Sequence, residues 1–231
     1  TQRDGAVQGF AEKLRVVSKC ADVVIVTSTQ CEADVTRHLS ALGPLPHLIL
    51  AHLGVEIPVI DPDFPVPEGP FFVTLGTIEV RKNHALLLDI WEDWGADAPP
   101  LYICGKRGWR NDAVFARLDA GIVGVIEQNN LTDGQIAALL SRASCMLFPS
   151  IAEGFGLPPI EALALGCRVV CADLEVFQEL LGNRAVYVSP LDRYLWEKTI
   201  KNLAGSDGLD TKIQFTPLTW AAHFKTVLTN V

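Results

Sequence analysis

The chain has 231 residues, 49% of them apolar, with a formal net charge of −8 at neutral pH. That length accommodates one large or two small domains whose core needs no disulfide or metal staple. The acidic balance, with no basic stretch interleaved with aromatics, speaks against a nucleic-acid polymer as partner, and no apolar run reaches the ~18 residues of a membrane span.

In chain order, residues 7–20 place Phe10, Leu14 and Val17 on one helical face. Residues 23–26 read as a strand, 29–42 as a helix ending near Gly43, and 48–51 as a second strand. Residues 58–70 hold five prolines and three acids and read as a linker. Strands are then expected at 71–75, 101–104, 121–126, 145–149, 168–172 and 185–188. They alternate with helices at 83–94, 110–119, 133–143, 159–165, 175–181 and 191–204. A last helix spans 216–230, with Trp220 and Phe224. The alternation predicts an α/β fold: a Rossmann-like, doubly wound parallel sheet preceded by a partial α/β segment. Of the six cysteines, none forms a Cys-x-x-Cys pair. Cys104, Cys145 and Cys171 fall in apolar strand-like runs, which suits reduced structural thiols in a cytoplasmic protein.

Residues 153–161 read Glu-Gly-Phe-Gly-Leu-Pro-Pro-Ile-Glu. Pro158 and Pro159 suit the first turn of a helix, where a lost N–H costs little. Glu153 is therefore expected on a loop and Glu161 in the first helical turn. The amides of Gly156 and Leu157 lie at the positive end of that helix, a place for a phosphate. Carboxylates on both sides suit diols, so the segment describes a nucleotide sugar. The plain alternative is a helix entered through a Gly/Pro turn with two solvated glutamates.

The stretch resembles the Glu-x7-Glu signature of retaining, two-Rossmann-domain (GT-B) glycosyltransferases of the large family four, group 1 type. Two further blocks carry the resemblance in the same order: residues 75–84, Leu-Gly-Thr-Ile-Glu-Val-Arg-Lys-Asn-His, and 103–109, Ile-Cys-Gly-Lys-Arg-Gly-Trp. The likeness is strong over about 70–205 and weak over 21–57. It implies a tail of the acceptor domain at 1–57, the linker at 58–70, a nucleotide-sugar donor domain at 71–205, and a crossover segment and helix at 206–231. The family's glycine-rich acceptor loop and first-domain histidine are not identifiable. The chain thus resembles the donor half of a longer protein.

By this resemblance Lys82 grips the diphosphate and, with Glu153, forms the catalytic pair; Glu153 faces the transferred sugar. Gly76 and Gly105 end strands where a diphosphate approaches, and Thr77 stands where many members have arginine. Arg81 is a second cation whose alternative is a salt bridge to Glu79. Lys106 faces the nucleotide or is a solvated lysine. Leu131 meets the base, unless Thr132 or Asp133 simply caps the next helix. Phe155 lines the sugar pocket or packs. Gly156 and Leu157 supply amides, and Glu161 takes the ribose diol. His84 reads as a helix-start residue. The form Gly-Thr-Ile-Glu-x-Arg-Lys-Asn resembles the mannosyltransferase branch, so GDP-mannose is the first donor expected.

No cofactor or metal is required on this reading, since lysine and amides hold the diphosphate, and no Asp-x-Asp pair is placed for a metal. The acceptor would be a saccharide or lipid-linked sugar in polysaccharide synthesis. Peripheral contact with the cytoplasmic face of a membrane is expected through the first domain. The rival reading is a non-catalytic nucleotide-binding partner module. A dinucleotide oxidoreductase is disfavoured, because no Gly-x-Gly-x-x-Gly follows a strand.

Overall fold

The computed structural model describes residues 5–205 and 214–231. The first part of the expected crossover segment, 206–213, lies outside the described residues. Helix α1 (Ala6–Cys20), strand β1 (Val23–Val26), helix α2 (Thr29–Ser40) and strand β2 (His47–Leu50) form a small unit in which β1 and β2 pair in parallel. After residues 51–71, which carry neither helix nor strand, come β3 (Phe72–Leu75), α3 (His84–Trp94), β4 (Leu101–Cys104), α4 (Asp112–Ala120), β5 (Val125–Gln128) and α5 (Asp133–Arg142). Then follow β6 (Cys145–Phe148), α6 (Leu157–Ala164), β7 (Val169–Ala172), α7 (Glu175–Leu181), β8 (Val186–Val188), α8 (Arg193–Ala204) and α9 (Trp220–Asn230).

Strands β3 to β8 form one parallel sheet of six in the order β5-β4-β3-β6-β7-β8. The chain winds outward from β3 in one direction and from β6 in the other. The crevice beyond the carboxyl ends of β3 and β6 is the topological switch point, where open α/β sheets bind ligands. Both sheet faces are covered. Val73, Met146 and Phe148 join one core cluster, while Phe72, Cys145 and Leu147 join the other. Two covered faces explain why β6 and β7 are continuous apolar runs rather than alternating ones.

Helix α9 returns to the small unit. Val227 packs with Ile49 and Ala51, the Val55 N–H donates to the Leu218 carbonyl at 2.8 Å, and His223 Nδ1 donates to the His52 carbonyl at 2.9 Å.

Several boundaries differ from expectation, and four of the differences have a local cause. The strand expected at 121–126 forms at Val125–Gln128, because Gly121 and Gly124, at φ of 80° and 79°, spend the intervening residues in a turn. Helix α6 starts at Leu157, ahead of both prolines, so Glu161 stands in its second turn rather than its first. The prolines fit there because the first N–H groups of a helix have no intrahelical acceptor. Lys82 ends a single 3₁₀ turn (Val80–Lys82), not the start of α3, since Asn83 adopts φ 55° between the two. Helix α9 starts at Trp220 rather than 216, where the Thr219 hydroxyl accepts from the Ala222 N–H.

Candidate functional site

The loops leaving β3 and β6 meet at the switch point and are tied together by charge. Glu153 places one carboxylate oxygen 2.8 Å from Lys82 Nζ and the other 2.6 Å from Arg81. Arg81 also pairs with Glu79 at 2.6 Å, and its Nη1 donates to the Ala152 carbonyl at 2.9 Å. The backbone adds a further tie, with the Ile151 N–H donating to the Arg81 carbonyl at 2.9 Å. Arg81 is thus both the salt-bridge partner of Glu79 and the strap that fixes the Glu153 loop. The Glu153 and Lys82 side chains are 9% and 11% exposed, so their pairing is a partly buried one.

Lys82 lies over the Phe148 ring, 4.3 Å from its centroid. Its stem crosses Gly76, where a Cβ would stand 3.2 Å from Lys82 Cε, and Gly76 has φ 135°, a conformation only glycine adopts freely. Gly76 therefore gives room to the lysine. Burial lowers the Lys82 pKa, and Glu153 pulls against that fall. For Arg81, burial acts in the same downward sense, but Glu153 and Glu79 outweigh it and the guanidinium is held firmly charged. His84, at the start of α3, is 1% exposed; burial, aided by the Lys82 charge, pushes it down to about 4. It is neutral at physiological pH, and its Nδ1 has no partner among the described residues.

The N-terminus of α6 presents the second half of the site. Gly156 has φ 92°, and a Cβ there would overlap the Phe177 ring of α7, so the loop turns where only glycine fits. Pro158 and Pro159 carry no N–H. The amides of Phe155, Gly156 and Leu157 have no acceptor among the described residues, and they concentrate the positive end of the helix on one spot. The Phe155 ring is 7% exposed and joins the core.

One turn further along α6, Glu161 meets no hydrogen-bond donor among the described residues. Burial and the nearby Asp133 raise its pKa above the ordinary carboxylate value. It is an acceptor pair held ready, without the counter-charge that Glu153 has.

The other sequence candidates lie around this centre. Thr77 is exposed on the loop after β3. Gly105 abuts the Gly76 carbonyl closely enough that a Cβ would overlap it; its smallness serves strand contact. Lys106 is exposed and offers its backbone carbonyl to the Ile78 N–H at 2.9 Å. No contact among the described residues joins its side chain to the Glu153 cluster. Leu131 is half-buried against the core, and Thr132 caps α5 in a reciprocal capping box with Gln135. Among the described residues, no group of three or more His, Cys, Asp or Glu is placed to hold a metal ion, and no helix is long and apolar enough to cross a membrane.

Sequence reasoning missed the contacts that reach this site from the small unit. Ser28 and Cys31, at the start of α2, both donate to the Gly154 carbonyl, at 2.9 and 3.1 Å. Glu179 on α7 accepts from the Thr29 N–H at 3.0 Å and sits 2.7 Å from His52 Nε2. Ser28 lies directly before α2, a position that signals a helix cap. Nothing local signals that its hydroxyl reaches residue 154.

The profile of the family described as Glycosyl transferases group 1 matches residues 56–203. The chain belongs to this family. The match encloses every residue of the Glu153 cluster, the free amides and Glu161. The chain is 29% identical over 208 residues to the serotype-specific mannosyltransferase WbdA of Escherichia coli, covering 80% of the chain and 26% of WbdA. It is 30% identical over 134 residues to the O-antigen chain mannosyltransferase RfbU of Salmonella typhimurium, covering 58% of the chain and 38% of RfbU. The chain thus spans well under half the length of either relative.

Among solved structures, TarM covers 100% of the chain and 45% of its own length at a TM-score of 0.70 and 16% identity. The sucrose-phosphate synthase of Thermosynechococcus elongatus covers 100% and 60% at 0.73 and 20% identity. At such identities the likeness carries the fold, and that fold is the one of GT-B glycosyltransferases.

Proposed function

We propose that this chain is the donor half of a retaining hexosyltransferase that uses a nucleotide diphosphate sugar. The observation that carries the reading is the meeting, at one switch point, of a cation (Lys82), a cluster of free amides (155–157) and an unpaired carboxylate (Glu161). The diphosphate would lie between Lys82 and the amides, and Glu161 would accept from both ribose hydroxyls. Glu153, beside Lys82, would face the sugar.

In the transfer, the bond between the anomeric carbon and the diphosphate oxygen breaks, and the leaving oxygen takes the bonding pair. Lys82 and the amides would stabilise that growing negative charge, while Glu153 offsets the positive charge on the oxocarbenium-like sugar. The acceptor hydroxyl adds to the same face of the anomeric carbon and passes its proton to the leaving phosphate. No metal is needed on this reading, because lysine and backbone amides supply the positive charge.

The relatives' names, a serotype-specific mannosyltransferase and an O-antigen chain mannosyltransferase, support GDP-mannose as donor and a saccharide or lipid-linked saccharide as acceptor. The test is calorimetric titration with GDP, UDP and ADP. The reading expects one nucleotide to be preferred and that binding to be lost in Lys82→Ala and Glu161→Ala. Equal binding of GDP by the folded variants and the parent would overturn it.

A further inference from the structure

We infer that Ser28 is a positioning residue of the donor site: held in the small unit, it fixes the direction of the Phe155 amide that meets the diphosphate. The inference deepens the function proposed above and rests on it.

Ser28 is fully buried and uses both sides of its hydroxyl. The oxygen accepts from the Cys31 N–H at 3.2 Å, capping α2, and the proton goes to the Gly154 carbonyl at 2.9 Å. Cys31 Sγ donates to the same carbonyl at 3.1 Å. A carbonyl oxygen has two lone pairs, so with both engaged from α2 it is not free to turn.

The consequence follows from peptide geometry. In a planar trans peptide the C=O of one residue and the N–H of the next point in opposite directions, and the chain has no cis bonds among the described residues. With the Gly154 carbonyl drawn toward α2, the Phe155 N–H is directed away from it, and that N–H has no acceptor among the described residues. Were this peptide to turn over, a carbonyl would replace the donor, and the cluster of amides would present a repulsive oxygen to a phosphate.

The start of α2 is itself fixed by the donor domain. Both Glu179 oxygens lie 3.0 Å from the Thr29 nitrogen, and the Thr29 hydroxyl donates to Glu179 at 3.0 Å. The brace therefore runs from α7, through the first turn of α2, back to the loop between Glu153 and α6. Serine meets the demand because it donates and accepts at once; alanine does neither.

The test compares affinities for GDP and GMP by calorimetry on folded protein, with UDP and UMP substituted if uridine is the preferred base. The diphosphate reaches the amides and the monophosphate less so, so the ratio of the two affinities reports amide direction. A general loosening of the fold would weaken both ligands alike. Ser28→Ala is expected to lower the ratio about three- to tenfold. Cys31→Ala removes the other donor without touching the cap and is expected to lower it about twofold. Ser28→Thr, which keeps the hydroxyl, is expected to preserve it.

An unchanged ratio in both Ser28→Ala and Cys31→Ala, or an equal loss of both ligands, would overturn the inference. Lys82→Ala run alongside separates the two claims. If it loses GDP binding while the Ser28 and Cys31 variants keep the parental ratio, the donor-site reading stands and only the brace fails. If it binds GDP as the parent does, the donor-site reading fails first.

Discussion

The segment from 153 to 161 carries a carboxylate at each end, in opposite surroundings. Glu153 has a cation on each oxygen and sits in a loop strapped by Arg81. Glu161, eight residues on, is desolvated, faces another acid, and has no donor. The first is compensated within the protein and contributes to holding the loops together. The second is an uncompensated charge that costs the fold stability. One signature thus joins a residue whose partners are built in to one that, on the function proposed above, would find its partner in the donor.

The sharpest way to break this contrast is to remove the cation. Lys82→Ala should reduce nucleoside diphosphate affinity about 100-fold, the cost of a charge-assisted contact in a part-buried site, read by calorimetry.

Next, the two glutamates should respond with opposite signs in thermal melts. Glu153→Gln strands two cations and should lower Tm by about 5 °C while leaving GDP affinity undiminished, since Lys82 is released. Glu161→Gln should raise Tm by about 1–3 °C yet weaken nucleotide binding about tenfold. Shifts of the same sign would dissolve the contrast.

A smaller effect concerns pH. The Glu161 pKa is raised by folding, so its charge costs stability at neutral pH, and the cost disappears as pH falls through the folded value. Tm of the parent and of Glu161→Gln should therefore converge in acid. Nucleotide affinity of the parent should begin to fall at a higher pH than an ordinary carboxylate would cause. The smallest effect is at Lys106, where Lys106→Ala should change GDP affinity less than about twofold, as befits a solvent-screened side chain.

The strand–helix alternation was legible because each element writes its own period: buried runs for β6 and β7, helical spacing for α1. The Glu153 loop was legible because the glycines and prolines beside it are local punctuation. What escaped depends on distance. Glycines at 121 and 124 moved β5, since an apolar run does not say which of its residues a turn consumes. Arg81 was read as a phosphate ligand or a Glu79 partner, but its hold on Ala152 and Glu153 joins loops 71 residues apart. Ser28 and Gly154 are 126 residues apart, and no periodicity encodes such a meeting.

The return of α9 to the small unit has a consequence for the order of assembly. In the large sheet every neighbouring pair except β3 and β6 is consecutive in the chain, and that pair joins Phe72 to Cys145, whereas the contact of His52 with His223 spans 171 positions. Closing so long a loop costs chain entropy before any contact offsets it. Strands β1 and β2 have Val227 as part of their buried cluster, so their core is unfinished until α9 arrives. The contacts that complete the small unit are therefore expected to form after those of the large sheet.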